Sequence, residues 1–502
     1  MNVLALRSWW QQQFCAGNNS NAVGIVTTEM TNTLKDILDP SYAKPSQAEA
    51  SFPIKVNEDT RTVRVQAGIT QRILLNYLAN YTSASAPYGY VLPAFAWYVD
   101  QTVGGAVSTG THGSTMFWGS LSSQAVRVVL ALANGTLLEL TPDSNLHLWR
   151  AGQLAVGRLG IVTEIDFKIV PQRLLMRMVM TQTFDEFVSW TMEAQERFKA
   201  AVASGSQTAI SDSLRAVDQT QLFWFVPLNQ TYLITYNSSD IPREFVDDLQ
   251  PEANPARPNV AALSSAGRRL FQEELSAGVY AQAPSPILGP NLAITNGVES
   301  FNLLYKAIIG GAFANGTFPE RTAILNENEF INKYTSDNDP YDQYEVADAV
   351  TAGNLGLGFA VPPLIRFVNG EEAYLANTNG GPRMFFNIED HLSFSTGVDN
   401  TKFQTVMGIF RQECGARMHW GKAGWPRWAA CFDGAKEYPD TWCSFGCAVR
   451  ELDPNGKFRS MSDVWVWNAT DASGTSVPLD ECCTPSGFKA ECTCQHRSPC
   501  SA

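Results

Sequence analysis

Between Gly104 and Ser114 the chain sets four glycines among hydroxyl side chains, in the run Val103-Gly104-Gly105-Ala106-Val107-Ser108-Thr109-Gly110-Thr111-His112-Gly113-Ser114. Glycine removes side-chain obstruction, so backbone N–H groups of such a loop can converge on an anion, with Ser108, Thr109 and Thr111 as further donors. The spacing is neither the G-x-G-x-x-G of a dinucleotide fold nor a P-loop, because no lysine follows it. A pyrophosphate fits this chemistry; a plain glycine turn between strands is the competing account. His112, taken alone, reads as a structural hydrogen-bonding group rather than a catalyst. A second candidate lies near the far end, Arg417-Met418-His419-Trp420-Gly421-Lys422. Composition alone would send Trp420 to a core and Lys422 to solvent.

The elements that must position these residues are legible in the pattern. Thr60 to Ala67 alternates with period two, Gly68 breaks it, and Thr70 can cap a following helix, giving a β-turn-α unit. Ala125–Ala133 and Leu137–Thr141 read as strands joined by Asn134-Gly135, a strong hairpin signal. Gly157 and Gly160 precede Ile161 to Val170, which reads as a cleanly alternating, half-buried strand. A first domain is expected to end near Pro171. Beyond it, the amphipathic stretch Phe184 to Ala203 and the strand-like pieces Thr231–Tyr236, Leu364–Val368 and Met384–Phe394 predict a mixed α+β second domain. The loop Gln250 to Ser264 is the best candidate for an irregular surface segment.

A chain of 502 residues exceeds one ordinary core, so two or three units are expected. The formal charge of -13 and the lack of a basic, aromatic-interleaved stripe argue against nucleic acid as a partner. No 18-residue apolar run is present, so membrane association is possible but not required. Of ten cysteines, nine follow residue 413 and five fall between Cys482 and Cys500. That density favours disulfides in an oxidising compartment over zinc, whose paired-ligand spacing is missing and for which only His496 lies nearby. Seven sequons, at Asn18, Asn80, Asn134, Asn229, Asn237, Asn315 and Asn468, point the same way, to secretion or a secretory lumen. No basic start, apolar core and cleavage site opens the chain, so either the true start lies upstream of Met1 or the chain is not secreted and its cysteine tail has another explanation.

The run Gln101-Thr102-Val103 through Ser114, with Gly119-Ser120-Leu121-Ser122 and Leu159-Gly160-Ile161-Val162-Thr163-Glu164, resembles the flavoproteins of the vanillyl-alcohol oxidase and p-cresol methylhydroxylase superfamily. His419-Trp420-Gly421-Lys422 resembles the H-W-G-K signature of their aldonolactone oxidases, in particular the plant-type L-gulonolactone oxidases, whose clustered cysteine tail is also similar. The resemblance implies an α+β fold. Residues 1–175 would form an FAD-binding domain of two small α/β subdomains, the first incomplete. Residues 176–467 would form an α+β substrate domain with a large antiparallel sheet, and 468–502 a cysteine-rich tail. It implies FAD contacts at Gly104, Gly105, Ser108, Thr109, Gly110, Thr111, His112, Gly113, Gly119, Ser120, Gly160, Ile161 and Val162. It further implies catalytic roles for Lys422, whose ammonium would stabilise the reduced flavin, for His419, and for Arg366, which would orient the lactone hydroxyls.

Where many relatives place a glutamate two residues before the arginine, this chain has Leu364, which removes a general base from that strand; Glu389 or His391 are possible assistants. The first β-α unit of the family is largely replaced by Leu6 to Cys15, which contains no histidine, so the flavin is expected to be noncovalent. The resulting reading is oxidation of an aldono-1,4-lactone toward ascorbate or an analogue, with oxygen or a redox protein as acceptor. The rival is a non-catalytic extracellular sugar- or lactone-binding protein on the same scaffold.

Overall fold

The structure is a computed structural model. It describes residues 2–4, 22–24, 53–87, 89–95, 101–172, 174–215, 217–225, 230–239, 323–326, 364–387, 401–422, 425–458 and 464–497. Asn2–Leu4 (β1) and Ala22–Gly24 (β2) pair in parallel. Leu6 to Cys15 and the loop 250–264 lie outside the described residues.

Five antiparallel strands form the sheet behind the glycine run. They are Ile54–Asn57 (β3), Thr62–Gln66 (β4), Ala125–Ala131 (β5), Leu137–Leu140 (β6) and Ile161–Lys168 (β7), in the order β3-β4-β7-β5-β6. The predicted capping of the helix Gln71–Asn80 (α1) is present, with the Thr70 hydroxyl accepting from Ile73 N at 3.3 Å. The predicted hairpin is present too, and Gly135 takes φ 87°, a conformation that suits glycine. The clean alternation expected of β7 breaks midway. A bulge opposite Val129 and Leu130 leaves Thr163 out of the pairing, and Thr163 and Glu164 are consecutively half-buried. The freed Thr163 carbonyl accepts from Ala67 N at 2.9 Å, tying β7 to the turn before α1.

The second sheet has six antiparallel strands: Leu174–Thr183 (β8), Thr220–Phe225 (β9), Gln230–Ser239 (β10), Ala323–Asn326 (β11), Leu364–Val368 (β12) and Arg383–Asn387 (β13). Their order is β11-β8-β10-β9-β12-β13. The helix Phe184–Ser204 (α2) opens with a reciprocal capping box between Thr183 and Glu186 and packs Phe187 against Leu222, Leu233 and Ile365 of this sheet.

The core does not follow chain order. One buried cluster contains Ile54, Val63 and Phe167 of the first sheet together with Leu375, Trp420, Trp442 and Phe445. The cut read at 467/468 is likewise crossed by covalent bonds. Cys443–Cys494 and Cys447–Cys483 fasten the helix Trp442–Leu452 (α3) to the tail, and Cys482–Cys492 closes the tail on itself. Among the described residues no cluster of His, Cys, Asp and Glu could hold a metal.

Candidate active site

The glycine run folds differently from the open loop read in the sequence. Thr102 caps a helix, Val103–Thr109, that ends at Gly110 in the left-handed region with φ 71°. Its first N–H groups are consumed by the chain: Val103 N donates to Ile69 O at 2.8 Å, Gly104 N to Ala67 O at 3.0 Å, and Gly105 N to the Thr102 hydroxyl at 3.4 Å. The hydroxyl donors are spent as well. Ser108 Oγ donates to Gly104 O at 2.7 Å, Thr109 Oγ1 to Gly105 O at 3.0 Å, and Thr111 Oγ1 to the Gln101 amide oxygen at 3.1 Å. Gly104 is glycine because a Cβ would lie 2.7 Å from that of Ala67. These positions build the turn, and the donors expected to converge on an anion at 103–109 are turned inward.

What remains is the segment after the helix. His112 and Gly113 are buried, and among the described residues no hydrogen bond engages their N–H groups. Around them the structure gathers side chains from three remote segments. Arg366 Nη1 donates to His112 O at 3.0 Å, and the Phe385 ring lies 3.9 Å, centroid to centroid, from the His112 imidazole. His419 Nε2 lies 3.1 Å from Gly110 O, and His419 Nδ1 accepts from Gly421 N at 3.0 Å. A carbonyl only accepts, so Nε2 carries the proton and both His419 nitrogens serve the backbone. These contacts fasten the H-W-G-K turn to Gly110. A Cβ on Gly421 would come within 3.2 Å of Thr109 Oγ1, which shows how closely the two segments approach.

Both imidazoles are held neutral. Burial lowers the His419 pKa to about 3, helped by the Lys422 and Arg366 charges. Burial also drives His112 well below the ordinary histidine value, with Arg366, His419 and Lys422 adding to it. The two predicted cations thus act on the same pair of rings. Trp420 takes the core role that composition alone would give it. It is fully buried, donates Nε1–H to Leu375 O at 2.7 Å, and stacks on Trp465 with centroids 5.3 Å apart. This anchor fixes His419 and Lys422 on either side of it.

Other predicted contacts fall elsewhere. Gly160 must be glycine because a Cβ would stand 2.8 Å from Ala131 O, and Ile161 and Val162 pair in register with Ala131 and Leu130. Their link to the turn is indirect, through Val156 N donating to Ser108 O at 2.9 Å and Leu154 packing under Gly110. Gly119 and Ser120 meet Glu371, a residue with no local signal in the sequence. Its buried carboxylate accepts from Ser120 N at 3.0 Å, Ser120 Oγ at 2.6 Å and Thr378 Oγ1 at 2.6 Å, and burial raises its pKa. Ser120 begins the turn whose Leu121 N donates to Thr111 O at 2.8 Å and whose Ser122 Oγ donates to Val107 O at 2.6 Å. Leu364 lies two residues from Arg366 and so on the same face of β12. Glu389 and His391 lie outside the described residues.

Unengaged buried N–H groups, flanked by cations and neutral rings, suit an electron-rich anionic group. Residues 53–141 match the FAD binding domain family, which makes FAD the cofactor of this part of the chain. Over short stretches the chain is similar to aldonolactone oxidases. It is 44% identical over 72 residues to D-arabinono-1,4-lactone oxidase of Yarrowia lipolytica, covering 14% of each chain. It is 31% identical over 133 residues to L-gulonolactone oxidase of Bos taurus, covering 26% of this chain and 29% of that one. The aligned part therefore spans less than a third of these relatives. In fold the chain is similar to a solvent-stable cholesterol oxidase (TM-score 0.52, 16% identity, 88% of this chain and 84% of that one). It is also similar to cholesterol oxidase from B. sterolicum (TM-score 0.58, 12% identity, 92% and 89%), which supports a mixed α/β architecture.

Proposed function

We propose that this chain is an FAD-dependent oxidoreductase that converts an aldono-1,4-lactone, L-gulono- or L-galactono-1,4-lactone, toward ascorbate or an analogue. FAD, when bound, would supply the two-electron acceptor for hydride leaving the carbinol carbon, with oxygen as the final acceptor. The chain's own residues do the rest. His112 and Gly113 offer backbone N–H donors, and Lys422 supplies a fixed positive charge where negative charge grows. His419 holds Gly110 in place. Arg366, anchored on His112 O, orients the lactone and offsets charge on its oxygens.

The observation that carries this reading is the convergence of Arg366, His419 and Lys422 on Gly110 to Gly113, across sequence separations of 254 and 309 residues. In this reading residues 1–175 carry the flavin, 176–467 carry the lactone-facing sheet, and 468–502 form a tail. FAD is noncovalent, because Leu6 to Cys15 offers no histidine. The disulfides Cys443–Cys494, Cys447–Cys483 and Cys482–Cys492, together with seven sequons, support an oxidising, secretory compartment.

The test is anaerobic addition of L-gulono- or L-galactono-1,4-lactone to the FAD-loaded protein, with flavin absorbance as the readout. Bleaching is expected, and Lys422→Ala is expected to slow it about 100-fold or more, the usual scale for removing one electrostatic stabiliser. No bleaching with either lactone rejects the function. An unchanged rate in Lys422→Ala rejects the role of the ammonium.

A further inference from the structure

The six-stranded sheet has two faces with different neighbours. On one, Leu222, Leu233 and Ile365 pack under Phe187 of α2. Strand residues alternate, so the opposite face carries the residues between them. Gln221 of β9 stands directly opposite Arg366 of β12, which stands directly opposite Phe385 of β13. Paired positions on adjacent antiparallel strands share a face, so these three form one transverse row.

This row abuts the glycine turn. Arg366 reaches His112 O, Phe385 covers the His112 ring, and Ser114 Oγ donates to Thr220 O, one residue before Gln221. Phe367 N in turn donates to Ser114 Oγ at 3.0 Å. Gln221 is only 8% exposed, yet its Oε1 is fully buried and has no hydrogen-bond partner among the described residues. A buried amide end without a partner is costly, and folded proteins rarely leave one unless a ligand or water satisfies it. A hydroxyl both donates and accepts, so it satisfies the amide in either orientation.

We infer that Gln221 is a specificity-determining residue that recognises a ring or side-chain hydroxyl of the substrate. Phe385 is the apolar platform for the ring's C–H face, and Arg366 is the charged neighbour. The combination of an amide, an aromatic face and a guanidinium in one row suits a polyhydroxylated ring and gives an unsubstituted apolar one nothing to bond. The inference rests on the lactone-oxidising reading and extends it to one residue.

The test uses the FAD-loaded protein reduced with dithionite under anaerobic conditions, so that binding is read by calorimetry without turnover. The probes are L-gulono-1,4-lactone and α-hydroxy-γ-butyrolactone, which keeps the reacting hydroxyl but lacks the others. Gln221→Leu, and Gln221→Met as a second variant of matched volume, are expected to weaken gulonolactone binding about tenfold and butyrolactone binding by no more than about twofold, the scale of one lost neutral hydrogen bond. Flavin content and thermal midpoint should match the parent. Equal weakening of both probes, or of neither, overturns the inference while leaving the oxidase reading intact. A parent protein that binds neither lactone overturns the oxidase reading itself, and the inference with it.

Discussion

The seam around Gly110 and the block around Trp442 draw on the same core cluster but are held together in contrasting ways. In the block, Trp420, Trp465 and Trp442 stack with centroids 5.3 and 5.6 Å apart, and three disulfides bind α3 and the tail into one piece. Dispersion, apolar burial and covalent closure all act there in the direction of stability. At the seam two cations crowd two imidazoles, which must stay uncharged, and buried backbone donors go unengaged. The chain therefore concentrates stability where nothing reacts and tolerates local frustration where a ligand can relieve it.

The sharpest way to break this contrast is to loosen the block. Trp442 is 2% exposed and donates Nε1–H to Val466 O at 3.0 Å. Trp442→Ala is expected to cost about 3–5 kcal/mol in chemical denaturation, the scale of a large aromatic cavity. A loss below about 1 kcal/mol would mean that the disulfides alone hold the block, well short of that cavity scale.

Acidification probes the seam instead. A histidine whose folded pKa lies below its unfolded value stabilises the fold above the unfolded pKa, and that contribution fades as pH falls toward the folded value. For His419 the window runs from 6.5 down to about 3, and His112 shifts in the same direction. For His419 stability should drop by up to about 1.4 kcal/mol per pH unit across that window. His419→Asn should flatten the profile of thermal midpoint against pH. An equally steep profile in the variant removes His419 from the explanation.

The smallest expected effect distinguishes geometry from charge at Glu371. Glu371→Ala strips the acceptor from Ser120 and Thr378 and should cost about 1–3 kcal/mol, with lower FAD content after purification. Glu371→Gln keeps an acceptor oxygen for Ser120 and should restore most of both. If the Gln variant is as poor as Ala, the negative charge rather than the clamp is what matters.

Local signals in the sequence read well where a short-range rule decides the outcome. Thr70 before its helix, Asn134-Gly135 in its hairpin and the strand Leu364–Val368 are set by neighbours within a few residues. Which donors of the glycine run are engaged is not legible locally, for the opposite reason. Whether its N–H groups are free depends on Ile69 and Ala67, carbonyls brought up by a separate turn. Glu371 carries no local signal at all, because its meaning lies in Ser120, which is 251 residues away.

The sequence by itself determined the flavin-binding run, the cysteine density, the acidic charge and the resemblance that singled out Arg366 and Lys422. Only the tertiary structure decided that His419 spends both nitrogens on the backbone, that Trp420 is an anchor, and that Gln221 stands in one row with Arg366 and Phe385. The reason is physical. Residue type fixes what a group can donate, accept or charge, whereas its partner and its desolvation depend on which distant strand the fold brings alongside it.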